Sequence, residues 1–63
     1  MRGDIAEAVR ILMERDGDTK DKALNRIKEC REMAKDCEYE YDAVEDILAE
    51  ELGLEMDYAF ALL

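Results

Sequence analysis

Along this chain the apolar positions recur every three or four residues almost from end to end. Ile5, Ala8, Val9, Leu12 and Met13 form one helical stripe, with Glu7, Arg10 and Glu14 on its outer edge. This predicts a helix over about residues 4–15, with Asp4 as its N-cap and Met1 to Gly3 fraying ahead of it. Asp16-Gly17-Asp18-Thr19 interrupts the pattern: Gly17 suits the end of one helix, and Thr19 or Asp18 the cap of the next. Ala23, Ile27, Cys30, Ala34 and Cys37 then follow a 4, 3, 4, 3 spacing, widened by Leu24 and Met33, which predicts a second helix over about 20–36.

The same spacing runs on through Tyr41, Val44 and Leu48, and neither glycine nor proline breaks Cys37 to Tyr41. Two architectures therefore compete. One helix from about 20 to 52 would be about 50 Å long and would require a coiled-coil dimer with Cys30 and Cys37 near its seam. A bend near Glu38 and Tyr39, where like charges and aromatics lower helix preference, gives a separate helix over about 40–52. The bend is the favoured reading, because the Ile5–Met13 stripe and the apolar C-terminal run need a compact surface to cover.

In the third helix Tyr41, Val44, Ile47, Leu48 and Leu52 are expected to face inward. Gly53 ends it at the C′ position, with Leu54 folding back on Ala49 as in a Schellman motif. Met56, Ala59, Phe60 and Leu63 again fit i, i+3, i+4, i+7 and predict a short last helix over about 56–62. The expected fold is all-α, a small bundle of three helices plus a short C-terminal helix in one 63-residue domain. A chain of this size buries only about 60% of its unfolded surface, so a second copy is a reasonable partner.

Composition supports the helices and removes most chemistry. There is no proline, serine or histidine, and a single threonine. Charged residues interrupt every apolar window, so no membrane span or leader is predicted and a cytoplasmic location is expected. Cys30 and Cys37 lie about 10 Å apart along a helix, too far for an internal disulfide, and both are expected to be buried thiols. Zinc would need two thiolates plus two carboxylates at unsupported spacing. Calcium fails as well: with Gly17 at loop position 6, Leu12 and Ala23 fall where the first ligand and the bidentate acid belong.

What asks for explanation is the placement of charge. Residues 1–35 hold all nine bases against eight acids, a balance of +1, whereas residues 36–63 hold ten acids and no base, a balance of −10. Glu38, Asp42, Glu45, Asp46 and Glu50 spread over the outer side of the third helix, with Glu40 and Glu51 at its border. Those acids lie along about 21 Å of helix, roughly one charge per 3 Å, close to the spacing of phosphates along one DNA strand. Acids interspersed among the bases of the second helix argue against direct nucleic-acid binding.

The stretches ILMERDGDTKDKALNRIKECREM and DILAEELGLEMDYAFALL resemble small uncharacterised acidic proteins encoded in bacterial phages and integrative elements. Asp16-Gly17, Glu29-Cys30-Arg31 and Leu52-Gly53-Leu54-Glu55 match that group's D-G turn, E-C-R helix and L-G-L-E ending. Its members tend to carry glycine near position 38, where this chain has Glu38, and proline where it has Met56; these departures tell against the bend and the last helix start. The resemblance implies a phage or mobile-element origin and no enzymatic role.

The residues themselves also argue against an enzyme, since Cys30 and Cys37 lie on an apolar stripe and Asp42 and Asp46 on a convex face without a pocket. No cofactor or metal is expected. The leading expectation is a small acidic interaction protein that binds a protein partner or itself, with Glu38, Tyr39, Asp42, Glu45, Asp46, Glu50 and Tyr58 as candidate contact residues. The alternative is a nucleic-acid mimic that inhibits a defence nuclease or another DNA-binding protein.

Overall fold

Two side-chain caps, two left-handed glycines and a glycine-free turn at Glu38 and Tyr39 cut the chain into its elements. Asp4 accepts from the Glu7 N–H at 2.9 Å and Thr19 from the Lys22 N–H at 3.1 Å, each satisfying a donor that the first helical turn leaves free. Each cap contributes about 1 kcal/mol. The computed structural model describes residues 4–63, so the expected fraying of Met1 to Gly3 lies outside the described residues. The fold is all-α: α1 (Ile5–Asp16), α2 (Lys20–Asp36), α3 (Tyr41–Ile47) running on into a π turn (Leu48–Leu52), and a 3₁₀ helix (Met56–Ala61).

Leu12, Ile27, Leu48, Leu52 and Leu62 are fully enclosed, and Ala8, Ala23, Ala34 and Cys30 let the helices approach around them. Met13, Leu24 and Met33, expected on the inward stripes, are each about two-fifths exposed at the edges of α1 and α2. At a helix–helix contact of this size only the centre of each stripe is covered.

The bend between α2 and α3 forms without glycine. Cys37 donates to the Met33 carbonyl, Glu38 to Lys35 at 3.0 Å and Tyr39 to Ala34 at 2.9 Å, the bonds of a Schellman motif with Glu38 where glycine is usual. Glu38 and Tyr39 accordingly have φ of +55° and +56°. Two successive side chains in the left-handed region cost about 1–2 kcal/mol each, which the return of Val44, Ile47, Leu48 and Leu52 to the core offsets. The turn also corrects two expectations. Cys37 caps α2 and is exposed, and Tyr41, carried past the turn, is 63% exposed rather than inward.

The third helix does not stay α-helical to Leu52. Its last five residues widen into a π turn, in which residues four apart remain nearly in line, so Leu48 and Leu52 both reach the core. Gly53 is left-handed at φ +62°, but the Leu54 N–H returns to Leu48 at 2.9 Å and not to Ala49, which is exposed. The last helix is rotated from its predicted face: Met56 and Ala59 pack partly against the core as expected, but Phe60 and Leu63 do not. Tyr58 and Ala61, three apart and aligned in a 3₁₀ helix, are buried together with Leu54 and Leu62, leaving Phe60 at 65% and Leu63 at 54% exposed.

Candidate functional site

The acidic face begins where α3 does. Asp42 sits in its first turn, where the helix dipole favours a carboxylate, but the C-terminal end carries Glu50 and Glu51 and no base of its own. Two arginines from the other half of the chain meet that need. Arg15 donates through Nη2 to the Leu52 carbonyl at 2.6 Å and through Nη1 to Gly53 at 2.9 Å, and Arg26 donates to the Glu51 carbonyl at 3.1 Å. Glycine suits position 53 on two counts: its left-handed φ, and the closeness of the clamp, since a Cβ there would lie 3.0 Å from Arg15 Nη1 and the guanidinium would have to shift.

The Asp16-Gly17-Asp18 turn holds both guanidinium groups in place. Asp16 accepts from Arg15 in a two-point contact at 2.8 and 2.9 Å and from Arg26 at 2.9 Å. Buried Asp18 accepts from Arg26 at 2.6 Å. Hydrogen bonds from Arg15 and then Arg26 hold the Asp16 carboxyl far below the usual carboxylate range, and Asp16, then Asp18, raises Arg26 in turn. The turn is thus an arginine clamp. Sequence reasoning found only helix caps here; the available signal was two arginines bracketing D-G-D while a distant helix end lacked a base.

Glu38, Asp42, Glu45, Asp46 and Glu50 are all exposed. Among the described residues every ion pair uses Glu7, Asp16 or Asp18, so no acid after residue 35 is paired with a base. The row is shorter than expected, because Glu38 and Glu40 lie in or beside the turn and only Asp42 to Glu51 share one helical rod.

The aromatic candidates separate from the acids. Tyr39 is 45% exposed but lines a cleft of about 380 Å³ with Lys28, Arg31, Glu32 and Lys35, so its company is mainly basic. Tyr58 is corrected outright: at 9% exposure it belongs to the core, because the 3₁₀ register turns it inward. Tyr41, which sequence reasoning put inside, is the exposed aromatic that lies on α3 itself. An apolar groove of about 570 Å³ between α1 and α2, lined by Val9, Met13 and Leu24 with Arg10 and Lys20 among its other side chains, is a separate feature.

No protein-family model, curated protein or solved structure matches the chain. Chemistry must therefore be read from the side chains alone. Burial, and then the Glu51 carboxylate, push the Cys30 thiol up, so its nucleophilic thiolate is disfavoured. The carboxylates of α3 are exposed, and none of them lines either of the two clefts. No helix of the described residues is long and apolar enough to cross a membrane.

Proposed function

We propose that this protein is a non-enzymatic, cytoplasmic acidic interaction protein of phage or mobile-element origin that binds a protein partner through the exposed face of α3. The observation that supports this reading is that Asp42, Glu45, Asp46 and Glu50 have no ion-pair partner among the described residues, while the two arginines that reach the end of the same helix, Arg15 and Arg26, are committed to backbone carbonyls and to Asp16 and Asp18. Tyr41 adds an exposed ring on the same helix, and Glu38 extends the acidic surface at its start, with Tyr39 beside it lining the basic cleft of α2. Unpaired charge on a fold held together elsewhere accelerates encounter with a basic partner and selects against acidic ones.

A sharper version of the reading is a nucleic-acid mimic that occupies the basic channel of a nuclease or DNA-binding regulator. Its support is the row of unpaired carboxylates along one rod. The two readings share a first experiment: capture from a bacterial lysate on immobilised protein, elution by a salt ramp, then by DNA. A DNA-displaceable partner released at low salt favours the mimic, and a salt-sensitive partner indifferent to DNA favours the general reading. Retention of the partner by a variant with Asp42, Glu45, Asp46 and Glu50 all changed to lysine overturns both.

A further inference from the structure

The junction between α2 and α3 carries three independent marks of an alternative pairing. Its two hinge residues, Glu38 and Tyr39, are both left-handed without being glycine. The apolar 4, 3 spacing of α2 does not stop there but continues through Cys37 and Tyr41 to Val44 and Leu48. Cys37 and Tyr41, the two positions of that continued stripe at the junction, are the ones the compact form leaves exposed. A continuous helix from Lys20 to Leu52 would return both hinge residues to right-handed backbone and bring Cys37 and Tyr41 onto the buried seam.

A single chain cannot do this and keep its core, because α3 and the π turn would be carried away from α1 and α2. Two chains can. We propose that this protein also forms a domain-swapped dimer with a second copy of itself, in which α2 and α3 fuse and residues 41–63 of each copy pack on α1 and α2 of the other. Every core contact and both arginine clamps are then remade between copies, while the strain at Glu38 and Tyr39 is released in both. Arg15 and Arg26 of one copy donate to the Glu51, Leu52 and Gly53 carbonyls of the other. Fusion also brings Glu38 and Glu40 onto the rod that carries Asp42 to Glu51, lengthening the acidic row. The swap is independent of which partner that row engages.

The test is refolding of the full chain from denaturant at high and low concentration, followed by sedimentation and electron-spin distance measurement. Spin labels go at Asp21→Cys and Ala49→Cys in a Cys30→Ala, Cys37→Ser background, with labelled chains diluted into unlabelled ones. The expected product at high concentration is a dimer of 7.3 kDa chains, with the labels of one chain about 42 Å apart along a continuous helix. The compact monomer, whose long axis is 29 Å, gives a much shorter distance. The Glu38→Gly, Tyr39→Gly double variant, made without labels, is expected to fold as a monomer, its dimer association constant lowered about a hundredfold or more. A monomeric wild-type chain at every concentration overturns the proposal. So does a dimer with the short distance, or one that the hinge glycines leave unchanged.

Discussion

Arg15 donates through Nη1 to the carbonyl oxygen of Gly53 at 2.9 Å, joining residues 38 positions apart. This bond and its neighbours fasten the basic half of the chain to the acidic half through backbone oxygens, with no carboxylate of the acidic half involved. They close a helix end that otherwise presents free carbonyls beside its own negative charge, and they use a guanidinium, whose fork can serve two acceptors at once.

Replacing Arg26 by methionine keeps the aliphatic stem but leaves buried Asp18 with only the Lys22 ammonium, 3.9 Å away. We expect a loss of about 2 kcal/mol in urea unfolding, since hydrogen bonds to charged groups contribute about 1.5–3 kcal/mol. Arg26→Lys is expected to recover little of it, because an ammonium cannot span Asp16, Asp18 and the Glu51 carbonyl together. An Arg26→Met variant as stable as the wild type would remove the clamp from the account of the fold.

Acid stability follows from Asp16. Its folded-state pKa is held well below the roughly 3.9 of an unfolded aspartate, chiefly by Arg15 and then by Arg26. Between those two values the unfolded chain binds the proton and the folded chain does not. The contribution of Asp16 is therefore complete above about pH 4 and is lost as pH falls through the folded value. Asp16→Asn is expected to lower stability at neutral pH and to flatten the decline below pH 4, read from urea midpoints across the acid range.

Glycine at position 38 suits the backbone better than the native glutamate does. Glu38→Gly relieves a left-handed side chain at the cost of extra freedom in the unfolded state, for a net gain of roughly 0.5–1 kcal/mol. Thermal unfolding checks the sign: destabilisation would mean that the Glu38 side chain contributes more than its backbone costs.

The two thiols are expected to differ in rate by orders of magnitude. Cys37 is exposed at the cap of α2, whereas Cys30 is buried in the core with its thiol pushed up by desolvation. A thiol reagent in native buffer should modify one equivalent quickly and the second only as fast as the bundle opens. Two fast equivalents would show that Cys30 is not enclosed.

Much of the fold was legible in the spacing of Ile5 to Leu12, Ala23 to Ala34 and Val44 to Leu52, since apolar periodicity and caps are local properties. The three-helix layout with a short terminal helix follows from them. What was not legible depends on contacts between distant residues. The clamp pairs Arg15 and Arg26 with carbonyls whose exposure is decided by a π turn, and no periodicity announces a π turn. Tyr58 and Phe60 exchanged roles because a 3₁₀ register differs from an α register within a single turn. The acidic row was visible at once, but its lack of partners emerged only when the fold showed Arg10, Arg15 and Arg26 engaged with Glu7, Asp16, Asp18 and backbone carbonyls.

Because the clamp ends on main-chain oxygens, the side chains on the outside of α3 beyond its first turn take no part in holding the helix in place. Backbone carbonyls are present whatever the residue, so Glu45, Asp46 and Glu50 can be exchanged without loosening the attachment of the helix. The bundle can therefore serve as a chassis whose recognition surface is rewritten by point substitution while the scaffold stays fixed. Under pressure from a changing target, such a protein can track it through sequence drift on one helix.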